Sequence, residues 1–151
     1  MRAATPMTRE VIVVPPELPL VDAWGIMKTR RIRHLPVVRA GRLMGILSDR
    51  DVLLRATMGS SGDPVVEPRL LVAAAMTPAP FVCGASTPVE ELVRTMTEKK
   101  IDAVVVVSDS DELVGLVTST DLLLLLLSSD EASPEPLPYE FQVREAASTS
   151  A

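Results

Sequence analysis

At 151 residues the chain is long enough for one ordinary hydrophobic core, and its 47% apolar content argues against disorder over most of its length. A net charge of −5 gives no general reason to bind nucleic acid, so an anionic ligand has to be held by a local set of donors. Residues 1–10 lack the apolar stretch of a signal peptide, the longest leucine run (122–127) is too short to span a bilayer, and the single cysteine, Cys83, excludes an internal disulfide; together these predict a cytoplasmic protein with no membrane partner.

In chain order, Val11-Ile12-Val13-Val14 is a β-branched run ended by Pro15-Pro16 and predicts a strand. Over residues 19–30, Leu20, Ala23, Trp24, Ile26 and Met27 recur near helical spacing and predict an amphipathic helix. Leu35-Pro36-Val37-Val38 reads as a buried strand, Arg39-Ala40-Gly41-Arg42 as a hairpin turn, residues 43–47 as the returning strand and residues 49–56 as a helix. Residues 57–68, with Gly59, Gly62, two serines and two prolines, predict a flexible connection before a short helical stretch over 69–75.

The order then starts again. A strand over 80–83 is followed by a helix whose opening, Thr87-Pro88-Val89-Glu90, predicts a Thr87 N-cap closed by Glu90; Leu18 stands at the equivalent place in the first copy, which lacks that cap. Strands over 103–107 and 113–117 flank a polar turn, and a last helix covers 119–128. In the tail, Tyr139-Glu140-Phe141-Gln142-Val143 alternates in a way that fits a short strand, a docking segment or plain disorder.

The two halves are copies. Met7-Thr8 returns as Met76-Thr77, Met27 as Met96 and Ile32 as Ile101, all 69 residues apart, while Gly45 and Asp51 return 70 apart as Gly115 and Asp121. One register held over the whole length marks two copies of a β-α-β-β-α unit, with one residue inserted between Val107 and Gly115. The fold class is therefore α/β (α+β), two repeats about a pseudo-twofold axis: residues 1–56, a linker with short helix over 57–75, residues 76–128, and a tail over 129–151. Units of about 50 residues are marginal alone, so the repeats are expected to share one core.

The repeated ending Gly-x-x-Ser/Thr-x-x-Asp has chemistry of its own. Ser48 and Asp51, like Thr118 and Asp121, have the spacing of a capping box, with aspartate in place of glutamate. The same geometry suits a nucleotide, because free N–H groups and a hydroxyl at a helix start favour phosphate and a carboxylate one turn in can accept ribose hydroxyls. Both readings stand on these residues alone.

Met-Thr opening each unit, Ile32-Arg33-His34-Leu35-Pro36-Val37-Val38 before the hairpin, and the paired Gly-x-x-Ser/Thr-x-x-Asp endings resemble a tandem pair of cystathionine-β-synthase (CBS) domains, a Bateman module, of the small stand-alone kind. The resemblance covers residues 7–127. It implies an adenosyl ligand in clefts between the repeats, with the aspartate on ribose, the hydroxyl near phosphate and the base among apolar side chains of the other repeat. One site would then combine Ser48, Asp51 and Arg50 with Met76, Phe81 and Ile101. The other would combine Thr118 and Asp121 with Met7, Ile12, Ile32, Arg33 and His34. Arg33 and His34 are expected to face the Thr118/Asp121 cleft, where a polyphosphate would therefore go, since Asp102 and Ala103 stand at their places in the second copy.

The methionines read as core filler, and the all-round apolar residues 122–127 call for a covering surface, which with the resemblance predicts a homodimer. No nucleophile with an evident base, no Walker-type lysine loop, no metal set and a single histidine speak against an enzyme. The function expected is a regulatory module sensing AMP, ADP, ATP or an S-adenosylmethionine-like ligand, with no required cofactor. The alternative is a ligand-independent dimeric scaffold acting through an unidentified protein partner, and binding of nucleic acid through Arg30, Arg31 and Arg33 is a minor third.

Overall fold

The computed structural model describes residues 1–3 and 5–128, so the alternating segment at 139–143 lies outside the described residues. The first copy runs α1 (Leu20–Arg30), β1 (His34–Arg39), β2 (Arg42–Ser48) and α2 (Asp49–Leu53). A connecting stretch carries β3 (Thr57–Met58), β4 (Pro64–Val65), α3 (Val72–Ala75) and β5 (Thr77–Pro78). The second copy runs β6 (Val82–Gly84), α4 (Val89–Lys99), β7 (Ala103–Val107), β8 (Leu113–Thr118) and α5 (Ser119–Ser128).

Each copy is built around an antiparallel hairpin. β1 pairs with β2 from His34–Ser48 onward and β7 with β8 from Ala103–Thr118 onward, and a bulge falls at Val37/Val38 in one and Val106/Val107 in the other, the same register position. The first hairpin closes through Ala40 and Gly41, at φ 48° and 77°, the doubly left-handed turn that suits strand twist. The second contains the inserted residue and turns at Asp111, φ 60°. α1 and α4 both end on a left-handed residue, Arg31 and Lys100, each at φ 54°, whose N–H closes back on Met27 and Met96.

The copies exchange their opening segments. Thr8 is hydrogen-bonded to Leu116 of β8 in both directions (2.8 and 3.0 Å), while β5, with Thr77, pairs with β2. Leu70 accepts from the first N–H of α1 (2.7 Å) just as Met1 accepts from that of α4 (3.0 Å). Two apolar clusters result instead of the single shared core expected. One holds Leu20, Met27, Leu35, Val37, Leu47 and Val52 with Val72 and Ala75; the other holds Leu92, Met96, Val104, Val106 and Val117 with Ala3 and Met7. Fully burying a side chain such as Val72 or Met7 contributes about 2 kcal/mol, so each cluster depends on the strip lent by the other copy.

Four local expectations change. Of residues 11–14 only Val14 pairs, with Val37, because Val11 and Ile12 turn their side chains into a cleft. Thr87 does not cap α4: its hydroxyl accepts from the Gly84 N–H (3.2 Å) and Pro88 takes the N-cap position. The connection at 57–68 contains the β3–β4 ribbon, turned by Gly62 at φ 83°, and the helix after β2 stops at Leu53.

Candidate functional site

Both repeated motifs form the capping box. Ser48 is the N-cap of α2, its hydroxyl accepting from the Asp51 N–H (3.1 Å) while Asp51 Oδ2 accepts from the Ser48 N–H (2.8 Å). At the start of α5, Asp121 Oδ2 accepts from the Thr118 N–H (2.7 Å) and hydroxyl (2.9 Å), and Thr118 Oγ1 accepts from the Asp121 N–H (3.3 Å). These bonds engage Oδ2 alone. Each motif therefore fixes a half-buried carboxylate at the mouth of a cleft and leaves its second oxygen outside the cap.

The two clefts, of about 270 and 240 Å³, are lined by equivalent residues of the two copies. Thr118, Ser119, Thr120 and Asp121 face Thr8, Val11, Ile12, Arg31 and Ile32 in one; Ser48, Asp49, Arg50 and Asp51 face Thr77, Pro80, Phe81, Lys100 and Ile101 in the other. In each, the closing strand and helix of one copy meet the opening segment of the other, a direct result of the exchange. The predicted Ser48, Arg50, Asp51, Phe81 and Ile101 come together, as do Thr118, Asp121, Ile12, Ile32, Arg33 and His34.

Met7 and Met76 do not line the clefts. Met76 packs behind β2, where a Cβ on Gly45 would lie 2.8 Å from its sulfur and 2.7 Å from the Thr77 carbonyl; Met7 sits likewise against Gly115, at 2.7 Å. The repeated glycines are thus explained by close approach of the exchanged Met-Thr segment. It is the threonines beside them, Thr8 and Thr77, that reach the clefts.

Arg31 and Lys100 are lining cations that the sequence reading missed. They occupy one register position, 69 apart, and their strained left-handed backbone turns each toward its cleft. The shared offset of 69 is a signal for them.

Arg33 and His34 border both clefts and not the Thr118/Asp121 cleft alone, which corrects the expected separation by charge. Arg33 Nε donates to Asp49 (3.1 Å), and its Nη2 lies 4.0 Å from Asp102, the residue at its own place in the other copy. The pseudo-twofold axis passes between Arg33 and Asp102, so a residue next to the axis touches both sites. Burial holds the His34 imidazole below its ordinary pKa, opposed by Asp49, Asp102 and Asp51 and reinforced by Arg33. Among the described residues no group of three or more His, Cys, Asp or Glu side chains has metal-binding geometry, and no helix is long and apolar enough to cross a membrane.

Comparison with known proteins gives a consistent family. The CBS domain matches twice, at residues 3–56 and 72–128. The chain is 37% identical over 121 residues to an inosine-5'-monophosphate dehydrogenase of Korarchaeum cryptofilum, covering 80% of this chain but only 23% of that protein's length. It is 32% identical over 129 residues to the CBS domain-containing protein YhcV of Bacillus subtilis, covering 83% of this chain and 86% of that one. Among solved structures, the CBS domain pair of protein MJ0100, in complex with 5'-methylthioadenosine and S-adenosyl-L-methionine, superposes with a TM-score of 0.72 at 24% identity (83% of this chain, 95% of that one). CBSX2 in complex with AMP gives 0.72 at 23% identity (85% and 98%).

Proposed function

The chain belongs to the CBS domain family, with two repeats, and on that footing we propose that it is a regulatory module binding an adenosyl ligand in the clefts between them. The observation that carries this reading is the position-by-position equivalence of the two linings. Capping alone needs the hydroxyl and the aspartate. It gives no reason for both copies to place an isoleucine (Ile32 or Ile101), a second large apolar side chain (Ile12 or Phe81), a threonine and a left-handed cation around the same cavity.

On this reading Asp51 and Asp121 accept the ribose hydroxyls through the oxygen outside the cap, and Ser48 and Thr118 with the adjoining N–H groups face phosphate. Phe81 and Ile101, or Ile12 and Ile32, flank the base. Arg31 or Lys100 offsets ligand charge. The related-fold structures that hold AMP, or 5'-methylthioadenosine and S-adenosylmethionine, support the adenosyl class. The chain spans about a quarter (23%) of the Korarchaeum cryptofilum dehydrogenase, and what it matches there is its own pair of CBS repeats, so the reading is of a binding module and not of a catalyst. Ligand that touches both repeats acts by favouring one arrangement of them.

The module is proposed to work as a homodimer. Leu123, Leu124, Leu126 and Leu127 of α5 are 56–84% exposed, a stripe that a second copy would cover. The test of function is thermal unfolding against AMP, ADP, ATP, S-adenosylmethionine and 5'-methylthioadenosine, with CMP as control. Ligand at about 100 times its Kd stabilises by roughly 2.7 kcal/mol per site and raises Tm visibly. No shift with any adenosyl compound, or an equal shift with CMP, would overturn the reading.

A further inference from the structure

We propose that Arg33 is a single cation shared by the two clefts, so that an anionic ligand bound in one weakens the binding of an anionic ligand in the other. This rests on the adenosyl-ligand reading and adds to it a regulation of the paired sites. Arg33 lines both cavities, and a guanidinium can be drawn fully toward only one phosphate at a time. In the structure its ion pairs are on the Ser48 side, with Asp49 at 3.1 Å and Asp102 at 4.0 Å, and its side chain is 60% exposed, so a phosphate in the Thr118 cleft would compete with those carboxylates for it.

The charges of the linings make that choice consequential. Apart from Arg33, the Thr118 cleft has Arg31 against Glu10 and Asp121, and the Ser48 cleft has Arg50 and Lys100 against Asp49, Asp51 and Asp102. Each cleft without Arg33 therefore carries one more carboxylate than cation. A phosphate entering either one needs Arg33 to offset that excess, and drawing it away exposes the second cleft's carboxylates to the next phosphate. A neutral ligand makes no such demand.

Calorimetric titration of the full chain with AMP, and with adenosine as the uncharged probe, tests this in the native protein, in Arg33→Gln, and in Asp51→Asn and Asp121→Asn, which isolate each cleft. After statistical correction, the weaker AMP step of the native protein is expected to be at least about fivefold weaker than the same cleft measured alone. With adenosine the steps should match its single-cleft values, and on Arg33→Gln AMP should bind each cleft more weakly but with steps equal to those of Arg33→Gln combined with Asp51→Asn or with Asp121→Asn. Native AMP steps equal to the single-cleft values, a penalty that persists in Arg33→Gln, or one of equal size with adenosine would each overturn the sharing while leaving the adenosyl reading intact. Absence of binding by both probes would overturn the sharing, and the adenosyl reading with it where the whole thermal-unfolding panel also shows no shift.

Discussion

Asp51 and Asp121 cap their helices and are proposed to hold ribose, two roles that substitution can separate. Alanine at either position removes the acceptor of the capping box and should lower stability by about 1 kcal/mol in urea unfolding. Asparagine keeps a carbonyl oxygen for the Ser48 or Thr118 N–H and should restore most of that stability, yet it removes the charge proposed to hold ribose. Recovery of stability without recovery of adenosyl binding supports the double role; recovery of both would reduce the carboxylate to a cap. His34 adds a pH dependence. Burial lowers its folded pKa below 6.5, so the native state resists the proton that the unfolded chain accepts. Its contribution is fully present above the unfolded value and is lost as pH falls through it toward the folded pKa. Tm should therefore drop between pH 7.5 and 5, and His34→Gln should flatten the drop; an unchanged slope would show that carboxylates alone set it. At this scale the sequence revealed the hydroxyls and aspartates, repeated 70 apart, and Ile32 with Ile101, repeated 69 apart. It did not reveal which way Met7 and Met76 point, since a residue beside a strand crossing can serve the core or the cleft and only the glycine opposite decides.

Among the elements, the exchanged segments hold the copies together, and their contacts define a strict test. A Cβ on Gly45 would meet the Thr77 carbonyl at 2.7 Å and the Met76 sulfur at 2.8 Å, whereas on Gly115 the 2.7 Å contact is the flexible Met7 sulfur and the Thr8 carbonyl stands at 3.1 Å. Gly45→Ala should cost about 1–3 kcal/mol in chemical unfolding, and Gly115→Ala less, because a thioether can move aside and a paired backbone cannot. Equal or negligible losses would contradict the described packing. Strands β1, β2, β7 and β8 and helices α1, α4 and α5 were legible from periodicity. The exchange was not, because Thr8 and Thr77 make isolated or two-residue pairings too short to show alternation. The Thr87 cap was misread for a related reason: the start of α4 is satisfied by Met1, a partner remote in sequence.

At the scale of the whole molecule, the pseudo-twofold relation converts one repeated motif into two clefts and places Arg33 where they meet. Repetition made the pair of clefts legible, and so was the asymmetry of Arg33 against Asp102; that Arg33 borders both clefts was not, since it depends on how closely the two equivalent positions meet across the axis. The exposed stripe of α5 predicts a dimer that Leu124→Glu with Leu127→Glu dissociates, measured by sedimentation velocity; a native chain that sediments as a monomer would refute it. Ligand binding in the clefts has a direct internal reporter. Of the five isoleucines, Ile12 and Ile32 line one cleft and Ile46 and Ile101 the other, while Ile26 packs beside the first apolar cluster. The decisive measurement is a titration of isoleucine-methyl-labelled protein with AMP, followed by NMR. The account predicts shifts confined to the Ile12/Ile32 pair, the Ile46/Ile101 pair or both, with Ile26 unmoved; four cleft methyl signals that stay in place at saturating AMP would contradict it.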